Sequence, residues 1–154
     1  MHTEPWVIRR LAEGHDSMED EKMAQQRPEM PKDRPLDAPL LTFDLPALLK
    51  QIKSEDNWQK TERNAMTLLK TQEMRVVLVA LHAGTVIPSH KADGPISVQA
   101  IEGQIKFSAV SQTVTLRKGQ MLTLQSGLPH SVEAVEESAF LLTVASESAP
   151  PAER

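Results

Sequence analysis

Two stretches decide the fold. The first is Gly84-Thr-Val-Ile-Pro-Ser-His90-Lys-Ala92-Asp93-Gly94-Pro95-Ile96-Ser-Val98-Gln-Ala100-Ile-Glu-Gly103, and the second is Gly119-Gln-Met-Leu-Thr-Leu-Gln125-Ser-Gly127-Leu-Pro-His130. Both place glycine and proline breaks between short runs of β-branched and aliphatic residues, which is how strands joined by tight turns are written. The same pattern extends outward on both sides. Residues 65–70, 75–83, 96–102, 104–110, 113–116, 121–125, 131–135 and 140–145 are such runs, spaced about ten residues apart and separated by turn residues. Eight short strands at that spacing predict an antiparallel all-β sandwich or barrel. No tandem repeat of fixed period is present.

Ahead of the strands, the spacing predicts one short helix over residues 44–54. Asp44 is a good N-cap, and Pro46 falls in the first turn, where a missing N–H costs nothing. Leu45, Leu48, Leu49 and Ile52 recur at i, i+3, i+4 and i+7, so one apolar face should pack on the outside of a sheet. Trp58 reads as a packing plug between that helix and the sheet. Residues 1–39 carry five of the eleven prolines with nine acidic and six basic residues, a composition that cannot repay its ordering entropy by burial. They read as a flexible, charged N-terminal arm, with Trp6, Val7, Ile8 and Leu11 as a small apolar patch at its head. The domain should run from 40 to 147, and 148–154 should form a disordered tail.

Composition closes off several classes. The chain has 154 residues, enough for one domain with a real core. Without cysteine there is no disulfide framework, thiol nucleophile, iron–sulfur cluster or thiolate zinc site. A formal net charge of -4 gives no electrostatic reason to bind nucleic acid. The longest apolar run, Val76 to Leu81, is strand-sized and far short of a membrane helix. The opening residues Met1 to Trp6 show no basic-then-apolar leader, so the expected compartment is the cytoplasm.

The two quoted stretches resemble the paired signature motifs of the cupin superfamily. The glycine frame fits at Gly84, Gly103, Gly119 and Gly127, and His90 and His130 fall on the first and last histidine positions. The resemblance covers about residues 65–147. It implies a double-stranded β-helix, the jelly-roll barrel of small single-domain cupins, and pairing as a homodimer. It also implies a divalent transition metal held by three histidines and a glutamate. Here Ala92 stands at the second histidine position and Ile96 at the glutamate position. Gln125 and Ala134 replace the motif's proline and asparagine. The implied ligand set is thus reduced to His90 and His130, and catalytic metal sites usually need three protein ligands.

Two further residues are candidates to complete a metal site. Asp93 would add a carboxylate to the two imidazoles, although Asp93-Gly94-Pro95 also reads as a turn whose aspartate bonds its own backbone. His82 would add a third imidazole, or stand as a half-exposed strand histidine. Period-two alternation puts Ala92, Ile96, Val98, Ala100, Val132 and Ala134 on the face of the motif histidines, which predicts a small apolar pocket. The first functional reading is therefore a small-molecule-binding or regulatory barrel with a decayed metal site, taking a small apolar or mixed-polarity molecule. Another is an iron, manganese, nickel or zinc enzyme, oxygenase-like or isomerase-like, using His90 and His130 with non-standard further ligands. Metal-free proton transfer by His90 or His130, and an assembly module built on residues 1–39, are the remaining readings.

Overall fold

The computed structural model describes residues 34–146. Helix α1 spans Leu45–Ser54 and α2 spans Asp56–Lys60. Nine strands follow among the described residues: β1 Arg63–Lys70, β2 Met74–Leu81, β3 Val86–His90, β4 Ile96–Glu102, β5 Gln104–Ala109, β6 Gln112–Arg117, β7 Met121–Leu124, β8 His130–Ala134 and β9 Ser138–Ala145. They form two antiparallel sheets, one ordered β1-β2-β9-β4-β7 and the other β3-β8-β5-β6. This is the expected jelly-roll architecture, with one strand more than the eight runs. The additional strand is β3, where Pro88 interrupts the apolar pattern. Proline is tolerated there because β3 is a sheet edge, where a missing N–H breaks no ladder.

The apolar pattern becomes two cores. Val77, Val79 and Leu81 of β2 face the other sheet, packing with Ile105, Phe107, Val132, Phe140 and Leu142. Leu78 and Ala80, from the alternate positions, face the helices and meet Leu49, Ile52, Trp58, Met66 and Leu68. A strand buried on both faces reads as a continuous apolar run, which explains why 76–81 lacks alternation. The helix forms as its sequence dictates. Asp44 caps it by accepting from the Ala47 N–H at 3.1 Å, and Leu49 and Ile52 are its buried residues. Lys53 ties it to the strands through ion pairs with Glu102 and with Glu137, the latter at 2.6 Å. Trp58 is 4% exposed and plugs the gap between helix and sheet. The short α2 that carries it has no sequence signal of its own. Asn64 of β1 fixes the helix junction, donating to Glu55 Oε1 at 2.8 Å and to the Ile52 carbonyl at 3.2 Å.

Residues 34–39, which the sequence assigns to the arm, lie along β1. The Lys70 N–H donates to the Leu36 carbonyl at 2.8 Å, and the Arg34 guanidinium donates to the Thr67 carbonyl at 2.7 Å. An edge strand offers unpaired backbone groups, and this segment takes some of them up. The ordered part of the chain therefore starts before residue 40. The rest of the arm, with Trp6, Val7, Ile8 and Leu11, and the tail 148–154 lie outside the described residues.

The four glycines of the motif frame all have left-handed φ, between 77° and 88°. Gly103 shows the constraint most sharply: a Cβ there would run into the Glu137 carbonyl and Ser138, so the β4–β5 turn can press on the start of β9 only with glycine. The β5–β6 hairpin breaks the same rule. Ala109 pairs with Gln112, leaving a two-residue loop in which Val110 has φ 54° and Ser111 φ 60°. Both angles belong to the turn that prefers Asn-Gly, and a β-branched residue there is strained. The sequence extends this strand through Val110; the register ends it at Ala109. We expect Val110→Asn combined with Ser111→Gly to stabilise the protein by about 1–2 kcal/mol, read as a higher urea midpoint at unchanged m value.

Candidate functional site

His90 ends β3 and His130 begins β8, and antiparallel pairing sets the two directly opposite each other. Their rings meet edge-on, with centroids 4.2 Å apart and planes at 62°. Both are almost fully buried, at 4% and 2% exposure. The two loops that deliver them do the same local thing. The Nδ1–H of His90 donates to the Pro88 carbonyl at 2.7 Å, and that of His130 donates to the Leu128 carbonyl at 2.9 Å. A carbonyl only accepts, so the proton of each neutral ring sits on Nδ1 and the lone pair on Nε2.

The His130 Nε2 is buried and has no hydrogen-bond partner among the described residues. Phe107 stacks on the other face of His130, 5.3 Å between centroids and 13° between planes. Burial lowers the His130 pKa from the ordinary histidine value, partly offset by the bond to the Leu128 carbonyl. The ring is thus held neutral at pH 7, because a charge in an apolar surround loses its hydration.

The other sequence-derived candidates separate cleanly. Ala92, Ile96, Val98, Ala100, Val132 and Ala134 are all buried in the inter-sheet core, as the alternation predicts. None of them lines the cavity between the β5–β6 hairpin and β7. His82 lies on the helix side of the sheet. Its ring stacks on Trp58 at 3.6 Å, and its Nε2–H donates to the Trp58 carbonyl at 2.8 Å. It shares a face with Leu78 and Ala80, and that face looks away from His90 and His130. Asp93 is exposed in the loop after His90, where its carbonyl accepts from Ser126 Oγ at 3.0 Å. Partial burial raises its carboxyl above the usual range.

No three histidine, aspartate or glutamate side chains among the described residues converge on a point where they could hold an ion. The fit to a metal is poor for a stated reason. Among the described residues the two imidazoles are the donors brought together, and Ala92 and Ile96, at the motif positions of the other ligands, are buried apolar side chains. What the arrangement can do is accept hydrogen bonds from something small.

A cavity of about 250 Å³ lies between the β5–β6 hairpin and β7, and two of its lining residues, Phe107 and Ala109, are neighbours of His130. Phe107, Ala109, Val110, Val114, Leu122 and Leu124 give it apolar walls, with Gln112 and Thr123 as polar groups. Periodicity counted outward from the histidines missed these residues, since the wall comes from the β5–β6 hairpin and β7, strands other than those that carry His90 and His130. The positive φ at Val110 could not be read from sequence either.

Comparison with known proteins bears on the fold. No family model matches the chain, and no curated protein matches it. Solved structures do. A conserved protein of unknown function from Streptococcus pyogenes aligns at TM-score 0.58 and 20% identity, over 79% of this chain and 100% of that one. A cupin superfamily protein from Desulfitobacterium hafniense aligns at TM-score 0.59 and 15% identity, over 79% and 99%. A variant of salicylate 1,2-dioxygenase from Pseudoaminobacter salicylatoxidans aligns at TM-score 0.61 and 15% identity, over 80% of this chain and 41% of that one. These identities carry the architecture and nothing finer.

Proposed function

Starting from a barrel with the cupin fold, we propose that this protein binds a small, largely apolar molecule without a resident metal, as a binding or regulatory domain. The matched proteins range from one of unknown function to a dioxygenase, so the fold leaves the activity open. One observation carries the reading. The His90 and His130 rings are each fixed by a backbone carbonyl and the His130 Nε2 is left without a partner, yet among the described residues no third ionisable side chain converges on them and the neighbours are apolar. A buried imidazole acceptor at His130 close to an apolar cavity suits a ligand with a small polar head better than a transition ion.

Elemental analysis and thermal unfolding test this together. Protein purified without chelator should carry under about 0.1 metal per chain, and added manganese, iron, nickel or zinc should leave its stability unchanged. A bound small molecule at 100 times its Kd should add about 2.7 kcal/mol. A stoichiometric, tightly held cation whose stabilisation disappears in His90→Ala and His130→Ala would overturn the reading in favour of a metal enzyme with non-standard ligands.

No helix among the described residues is long and apolar enough to cross a membrane. We further propose a homodimer in the cytoplasm. The edges β3, β6 and β7 support the first part, since free edges invite pairing and β6 is exposed at all positions but Leu116. The mass of the same preparation in solution checks it: a 17.1 kDa species alone would end the dimer proposal.

A further inference from the structure

The cavity and His130 together say more about the ligand than its size. The cavity's walls belong to the β5–β6 hairpin and β7, and two of its lining residues are neighbours of His130. Ala109 is the cross-strand partner of His130 in the β5–β8 pairing, and Phe107 stacks on its ring. Behind these two apolar residues the His130 side chain offers an acceptor. The Nδ1–H is spent on the Leu128 carbonyl, which leaves Nε2 with a lone pair, buried and without a partner. Nothing in the apolar wall supplies a donor to it.

We propose that the barrel selects neutral ligands with a hydrogen-bond-donating head and an apolar body, such as a phenol or a small alcohol, the donor meeting His130 Nε2. The inference rests on the small-molecule reading above and narrows it to a class. A buried acceptor without a partner is costly, and a ligand that donates to it recovers that cost. One that offers only an ether or ketone oxygen sets acceptor against acceptor. Sites with a buried polar group discriminate strongly in this sense, because the mismatched ligand leaves the group unpaired.

The structure also shows what joins the cavity to the acceptor. Phe107 both lies against the imidazole and lines the cavity, so its ring is shared by the two. Val110, held at positive φ on the hairpin tip and 59% exposed, extends the apolar wall at the cavity's rim. A strained residue at a binding surface is retained when its side chain serves the surface. At about 250 Å³ the space admits a ligand below drug size.

The test uses phenol, anisole and benzene on the full chain, followed by calorimetry and by NMR of the His130 ring. Phenol should bind at least tenfold more tightly than anisole, with the Nε2 resonance moving on binding. His130→Gln keeps an acceptor and should retain part of the preference. His130→Leu should erase it, with anisole and phenol converging. Folding of each variant is verified by its urea transition. Equal affinity for phenol and anisole, or a phenol preference that survives His130→Leu, overturns the inference while small-molecule binding stands. Binding of none of the three, at concentrations up to their solubility, removes both the inference and the reading beneath it.

Discussion

Phe140→Ala should cost about 3–5 kcal/mol of folding stability, the largest effect expected of any single substitution considered. Phe140 is fully buried, and it lies on β9, which pairs with β2 on one side and β4 on the other. Its partners in register are Val79 and Ala100, so truncation opens a void where the inter-sheet core meets the central strand. Backbone pairing on both sides prevents β9 from moving to fill it, and a cavity that cannot collapse costs the most. Against a total stability of about 5–15 kcal/mol for a domain, that loss brings the protein near its unfolding threshold. Urea denaturation should show the midpoint falling at constant m value, while Val114→Ala, at a 38% exposed position, shifts it little. A Phe140→Ala loss below about 1 kcal/mol would mean that the two sheets are not packed as described.

The second large effect is a loss of stability in mild acid that originates at His130. Burial lowers this residue's affinity for a proton in the folded state, whereas in the unfolded chain it titrates near the ordinary value of about 6.5. Above that pH both states carry a neutral ring, and the group contributes no pH dependence. Below it the unfolded chain takes up a proton that the folded protein refuses. Stability then falls as pH drops, by up to about 1.4 kcal/mol per pH unit for one such group, and the fall ends only below the folded value. His130→Leu removes the proton site from both states and should flatten this part of the profile. Stability measured by urea at pH values from 7.5 to about 5 reads the difference. An acid limb of equal slope in the variant would place the destabilising proton elsewhere. The two experiments are independent, because one tests packing and the other tests the cost of charging a buried ring.

The architecture was largely legible because backbone chemistry leaves marks in sequence. The glycine frame marks the positions where the chain must take left-handed φ, and Gly84, Gly103, Gly119 and Gly127 all do. Short β-branched and aliphatic runs between turn residues located eight of the nine strands among the described residues, and Asp44 with Pro46 and the leucine spacing located α1 to within a residue. The failures have physical causes too. Strand β3 was hidden by Pro88, whose place on an edge is a tertiary fact. The α2 turn rests on the Asn64–Glu55 contact, which joins residues on different elements.

The site divides the same way. From sequence alone came the jelly-roll class, the apolar surround, and the pairing of His90 with His130 at the expense of Ala92 and Ile96. Residue type and spacing gave the antiparallel β class, and the jelly roll and the histidine positions came from the motif resemblance. Tertiary structure alone decided the side of the sheet on which His82 falls, the tautomer of each histidine and the location of the cavity. A sheet's two faces are equivalent until something packs on one of them, a ring's proton goes to whichever nitrogen the fold offers a carbonyl, and a void exists only where distant strands fail to meet. Val110 joins both halves: its identity is written in the chain, but the strain it bears comes from a register that only the folded sheet imposes.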